Sequence, residues 1–233
     1  MYCIYCGTQL PEGTRFCTTC GRPQGEQQAA ESGFVSSGAR PFTPPTGVRS
    51  HTWRWIGAGW RIVEADLGKF ALIALLFLVL SAALPFILQG PLQVGIHYCC
   101  VRKMRTGRVE IEDLFSGFRL FLPALLSFLL ISVFVIAGLV LCVIPALVIA
   151  AMYQFTHLFL FDKKLDAWPA MKASHQIVKQ DYFGFSMFLL ANLLLNTLGS
   201  LTVVGVLITV PITYAAITVA YSEIVGLEPD SAP

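Results

Sequence analysis

Three stretches of this 233-residue chain carry no Lys, Arg, Asp or Glu: Phe70–Val101, Leu120–Phe161 and Tyr182–Ser222. Runs of that kind are what a bilayer selects, because one crossing needs about 20 apolar residues, with about 17 as the short limit. The second and third stretches each have room for two crossings, and the first is tight. Composition agrees: 55% hydrophobic residues, 13% charged ones and a mean hydropathy of +0.68 lie outside the usual range for soluble domains. The formal net charge of +2 is too small to indicate a nucleic-acid partner, so what matters is where the charges sit.

They sit in clusters. Arg49, Arg54, Arg61 and Lys69 precede the first run; Arg102, Lys103, Arg105 and Arg108 follow it; Lys163, Lys164, Lys172 and Lys179 follow the second. Lys and Arg close to span ends favour the cytosolic side. All three clusters therefore want the same side, and each run must cross an even number of times. The expected fold is mainly α: a polytopic helical membrane bundle of about six transmembrane helices in three hairpins, with both termini in the cytosol. If the first run only dips in and returns, the count falls to four.

Amphipathic segments separate the runs. Trp55, Gly59, Ile62, Val63 and Leu67 alternate at helical spacing with Arg54, Arg61, Glu64 and Asp66, which predicts an interfacial helix with Trp53, Trp55 and Trp60 at headgroup level. Asp166–Asp181 predicts another, with Trp168, Met171, His175 and Val178 on one side and Lys172 and Lys179 away from it. Ile62-Val63 before Asp66 and Ile177-Val178 before Asp181 both read Ile-Val-x-x-Asp, and Glu112-Asp113-Leu114 occupies the middle elbow. The chain thus reads as three repeats of an amphipathic elbow followed by an apolar hairpin. The hairpins are expected to break near Pro85 with Gly90 and Pro91, Gly138 with Pro145, and Gly199 with Gly205 and Pro211.

The N-terminus has a different chemistry. Cys3, Cys6, Cys17 and Cys20 form C-x2-C-x10-C-x2-C, with Gly7 and Gly21 after the pairs. Two residues between thiolates let a tight turn aim both sulfurs at one ion, and two such knuckles supply the four ligands of tetrahedral zinc. All four cysteines are spent on the metal, so the site is closed and structural. In a segment too short to bury a core, zinc supplies the folding free energy. A redox dithiol would need a βαβ setting that this segment lacks. Strands Thr8–Leu10 and Thr14–Phe16, turned at Pro11-Glu12-Gly13, complete a small β zinc ribbon over 1–22. Reduced CxxC pairs again favour the cytosol. Four thiolates on zinc with Glu12 outweigh Arg15 and Arg22, leaving the unit slightly acidic and unsuited to a phosphate backbone. A protein partner is expected for it, and no nucleic acid. Residues 23–52, rich in Gly, Pro, Ser and Gln, read as a flexible linker, 53–228 as the membrane domain in contact with the lipid bilayer, and 229–233 as a tail.

Polar side chains inside the charge-free runs are costly and therefore informative. Gln89, Gln93 and His97 recur at four-residue spacing, Gln154 and His157 lie toward the cytosolic end of the fourth span, and Asn192 and Asn196 share a helix face. These seven are candidate intramembrane polar contacts. The favoured reading is interhelical hydrogen bonding, about 0.6 kcal/mol per contact; the other is a pathway for a substrate or ion. No carboxylate lies well within a run, and Ser174 and His175, being adjacent on one helix, do not face each other. No catalytic residue is assigned, and the chain is not expected to be an enzyme.

The head resembles the short zinc ribbon at the N-terminus of many bacterial membrane and regulatory proteins: C-x-x-C-G, a polar turn, then Phe-C-x-x-C-G, matched by Cys3 to Gly7 and Phe16 to Gly21. The part from Trp53 to Gly226 resembles a loose superfamily of uncharacterised bacterial six-pass proteins, related to the membrane domain of some glycerophosphodiester phosphodiesterases. The residues that carry this are Gly90-Pro91-Leu92 with Gly95, Glu112-Asp113-Leu114-Phe115 with Gly117-Phe118, Ile144-Pro145, Tyr153, Asp162, Ala170 and Ser174. Ala146 departs from the glycine usual after the proline, and the phosphodiesterase domain is absent, so its activity does not carry over. The resemblance implies a bacterial inner membrane. The functional expectation is a non-enzymatic integral membrane protein that displays a structural zinc ribbon in the cytosol as a protein-interaction or regulatory module. The alternative is a membrane transport or lipid-handling bundle with the ribbon as sensor or assembly element.

Overall fold

The charge-free runs fold as helices, because a backbone surrounded by apolar side chains must satisfy its own N–H and C=O groups. A computed structural model describes residues 42–228, with Val203 by its backbone only; the four ribbon cysteines, both predicted strands, the linker up to 41 and the tail lie outside the described residues. The order short, long, long recurs three times. The first set is α1 (Thr52–Glu64), α2 (Leu67–Ala83) and α3 (Gln89–Thr106). A 3-10 segment (Ile111–Leu120) then leads into α4 (Phe121–Leu141), α5 (Val143–Met152) and α6 (Thr156–Asp162). Last come α7 (Ala167–Val178), α8 (Tyr182–Gly199) and α9 (Val203–Ile224). The two Ile-Val-x-x-Asp aspartates occupy equivalent places, Asp66 as N-cap of α2 and Asp181 as N-cap of α8.

Among the described residues four helical stretches are long and apolar enough to cross a membrane: Ile111–Leu141, Val143–Asp162, Tyr182–Gly199 and Val204–Ile224. They support a membrane protein. Leu67–Ala83 is apolar but shorter, and α3 is more polar and nearly enclosed, with Gly90, Leu92, Val94, Ile96, Cys99 and Cys100 buried. Gly95 and Gly117 explain how α3 comes so close to the 3-10 segment. A Cβ on Gly95 would collide with the Leu114 carbonyl, and one on Gly117 with the Pro91 carbonyl. The Gly90–Gly95 and Glu112–Phe118 motifs thus perform backbone-to-backbone packing.

Three details differ from the sequence reading. Trp55 is not a headgroup residue: α1 lies against α9, and Trp55, 1% exposed, packs on Phe185 and Phe188, whereas Trp53 is 80% and Trp60 40% exposed. On α7 the buried face is Ala170, Met171, Ser174, Ile177 and Val178; Trp168 is half exposed, and the half-buried His175 ring meets the Tyr182 hydroxyl at 2.8 Å. The hairpin turns fall within the expected intervals, at 84–88 with Pro85, at Cys142 between Gly138 and Pro145, and at 200–202 between Gly199 and Gly205, but the other prolines do not make them. Pro91 and Pro145 instead sit in the first turns of α3 and α5, where a missing N–H costs nothing, and Pro211 lies inside α9.

Candidate functional site

Five of the seven polar residues singled out above line one cavity. Gln93 and His97 come from α3, Gln154 from the turn between α5 and α6, His157 from α6 and Asn196 from α8; the cavity has a volume of about 420 Å³. Tyr153, Thr213 and Tyr214 add hydroxyls, and Phe77, Ile131, Leu189, Val210 and Ile217 supply apolar wall. No Asp, Glu, Lys or Arg is among the lining residues. Asn192, one turn before Asn196, is buried beside it with its amide nitrogen bonded to Phe188 O at 2.9 Å. Gln89 is not part of the lining and sits half-buried at the start of α3.

The interhelical hydrogen bonds expected of these residues are only partly made. His97 Nδ1 lies 2.9 Å from Thr218 Oγ1, and Asn196 Nδ2 donates to Thr213 Oγ1 at 2.6 Å. Both amide atoms of Gln154, Nε2 of His157, and the amide oxygens of Asn192 and Asn196 have no protein partner although they are buried. More than nine-tenths of buried polar groups find a partner in folded proteins. Four of these five atoms, on Gln154, His157 and Asn196, belong to residues that line the one cavity.

The backbone is also irregular here. The span Val143–Asp162 is interrupted at 153–155, where no proline or glycine demands it. Ser174 of α7 makes the break tolerable: its hydroxyl donates to Met152 O at 2.7 Å and accepts from Phe155 N at 3.2 Å. Across the cavity Pro211 removes one N–H from the α9 ladder, next to lining residues Val210 and Thr213. Sequence reading missed the break because its cap lies in another element. The Tyr153-Gln154 pair in an otherwise apolar span was the available signal.

The charged residues form a second constellation, at the helix ends away from the uncharged turns at 84–88, Cys142 and 200–202. Asp66 pairs with Lys103, and Arg102 with Asp113 and, at 3.2 Å, with Glu110. Glu223 accepts from Trp55 Nε1 and, at 2.9 Å, from Arg54. Asp162, whose side chain is 0% exposed, accepts from Tyr221 Oη at 2.8 Å and Glu228 N at 2.9 Å, with Lys163 Nζ at 3.4 Å. Asp181 accepts from Ser50 N at 3.0 Å and Gly184 N at 2.9 Å, and Gln180 holds Val48 N and Pro45 O. Residues 42–50 are therefore fastened to this end. The Lys103 ammonium holds the Asp66 carboxyl below the usual carboxylate range. At Asp181 burial pushes upward, but the Ser50 and Gly184 donors and the Arg49 charge outweigh it, and the carboxyl ends below its ordinary value.

Among the described residues no three His, Cys, Asp or Glu are placed to hold a metal. The donor set that fits one is the N-terminal four-thiolate motif. Residues 2–24 match the family model of a zinc-ribbon domain. That match covers the zinc ribbon alone and says nothing of the helices. No curated protein and no solved structure matches the chain, and the likeness of the helical part to the phosphodiesterase-associated domain finds no support there.

Proposed function

We propose that the chain is a non-enzymatic integral protein of a bacterial inner membrane that displays a structural zinc ribbon in the cytosol as a protein-interaction or regulatory module. The observation that carries this is the segregation of charge. Every ion pair described above sits at one end of the bundle, while the turns at 84–88, Cys142 and 200–202 carry no charged residue. The positive-inside bias assigns the charged end to the cytosol. Residues 45–50 and Glu228 are both bonded to this end, which supports a cytosolic side for the segments that flank the helical body. The thrice-repeated short, long, long order supports six crossings, with α2 and α3 as the first hairpin. Cys3, Cys6, Cys17 and Cys20 would hold the zinc, which stabilises the ribbon's fold and leaves no coordination position for a substrate.

Cysteine accessibility in intact cells tests the topology. Native Cys142, exposed at the uncharged turn, should react with a membrane-impermeant maleimide added outside, and Ser50→Cys in a Cys142→Ser background should react only after lysis. Labelling of Ser50→Cys from outside would reverse the assignment. For the module itself, deletion of residues 1–40 should abolish co-purification of crosslinked partners, and an unchanged partner set would refute the interaction role.

A further inference from the structure

We infer that the cavity between α3, the α5–α6 break, α8 and α9 binds an uncharged amphiphile whose head carries carbonyl or hydroxyl oxygens. The inference is independent of the ribbon's role and rests on four features of the site.

The first is charge. An ionised phosphate, carboxylate or ammonium in this cavity would meet no counter-charge, and a buried unpaired ion costs several kcal/mol. Ionic headgroups and free ions are thereby disfavoured.

The second is the donor and acceptor inventory. Gln154 offers a free amide NH2 and a free carbonyl, His157 a free ring nitrogen, and Asn196 a free carbonyl whose NH2 is already held by Thr213. A head with two or more oxygens, one accepting from the Gln154 NH2 and one donating as a hydroxyl to the Gln154 or Asn196 carbonyl, satisfies most of these groups together. An alkane or a bare lipid tail leaves each one unpaired, at about 1–3 kcal/mol apiece.

The third is size and access. About 420 Å³ falls within the range of ligand pockets and far exceeds the share of one water, about 30 Å³. Beside the polar groups, Phe77, Val210 and Ile217 form wall suited to an acyl or prenyl stem. Ile131 of α4 and Leu189 of α8 are lining residues that are only partly buried, so the cavity reaches the apolar surface where a lipid-soluble ligand would enter.

The fourth is the backbone. Irregular main chain at membrane depth is tolerated where it is enclosed by protein or lines a cavity, and discontinuous helices frame the substrate sites of many membrane proteins. Here one lining residue, Gln154, sits in the break itself, and Pro211 interrupts the α9 ladder next to the lining residues Val210 and Thr213.

Two kinds of neutral lipid meet this chemistry to different degrees: diacylglycerols, with a hydroxyl that donates and ester carbonyls that accept, and quinones, whose ring carbonyls can only accept from groups such as the Gln154 NH2. Native mass spectrometry of the full-length protein, released from detergent, should retain one equivalent of decylubiquinone or of 1,2-dioctanoylglycerol. Retention of only one identifies the head as carbonyl or hydroxyl type, and retention of both supports the shared chemistry. The Gln154→Leu/His157→Phe double variant should weaken retention at least tenfold, with dioleoyl phosphatidylglycerol binding no better than background in either protein. Should the double variant fail to fold, Asn196→Leu carries the same expectation. Retention of neither neutral probe, preference for phosphatidylglycerol, or equal retention by wild type and variants overturns the inference.

Discussion

The two polar regions of the helical body are built from similar side chains under opposite rules. At the charged end, carboxylates that would be costly alone are provided with partners: Asp162 with Tyr221, Glu228 and Lys163, Asp66 with Lys103, Asp113 with Arg102. In the cavity, neutral amides and a ring nitrogen of His157 are left without protein partners in a place where pairing would be worth more. Full pairing around charge is how a fold fixes its own geometry. Incomplete pairing around a cavity is how a protein keeps groups available for something else. The first region therefore reads as architecture and the second as a site, and mutations should treat the two differently.

The largest expected effect lies at the charged end. Asp162→Ala removes a fully enclosed carboxylate, stranding the Tyr221 hydroxyl and the Glu228 N–H and leaving Lys163 with one carboxylate in place of two. Breaking a buried pair from one side costs about 3 kcal/mol or more, so the variant should melt well below wild type in detergent. A melt within error of wild type would mean that this end is solvated and contributes little. Next in size is Ser174→Ala, which uncaps the α5–α6 break and leaves Phe155 N and Met152 O without their partner. A loss of about 1–2 kcal/mol is expected, together with faster amide exchange at 153–156. Wild-type exchange there would show that the break holds itself.

How far each region was legible in the sequence follows from the range of the interactions that build it. Helices α2, α4, α8 and α9 were legible because an apolar run acts locally, through length and the need to close backbone hydrogen bonds within the segment. The charged end was legible in outline for the same reason, since Arg102, Lys103 and Lys163 flank the runs, and the matched aspartates Asp66 and Asp181 indicated where two long helices begin. Gln93, His97, Gln154, His157 and Asn196 could be named as unusual one by one, but their convergence depends on four elements packing together, and no spacing encodes that. Gln89 belongs to the same four-residue series as Gln93 and His97 and yet stays outside the cavity. The burial of Trp55 was hidden for a related reason: its partners Glu223, Phe185 and Phe188 stand at the far end of the chain. The break after Met152 was hidden because Ser174 supplies its cap from α7.

A third variant turns the contrast into a sign change. Gln154→Leu replaces an amide with both ends unpartnered by an apolar side chain of similar length. Removing an unsatisfied buried polar group relieves its desolvation cost, so the melting temperature in detergent should hold or rise, by about 1 kcal/mol at most. If Gln154→Leu instead destabilises as much as Ser174→Ala, the cavity amides are structural and the distinction between the two regions fails.

The smallest effect concerns pH at the charged end. The Asp181 carboxyl sits below its ordinary value because the donors at Ser50 and Gly184 and the charge of Arg49 outweigh burial. A group whose folded value is depressed contributes stability that is fully present above its unfolded value, about 3.9, and is lost as pH falls through the folded value. Acidification from pH 5 toward 3 should therefore weaken the hold on residues 48–50, read as a falling protection factor of the Ser50 amide (its exchange relative to the intrinsic rate at each pH), and the loss should be absent in Asp181→Asn. The amide variant should show a protection factor at pH 5 close to that of wild type at pH 3.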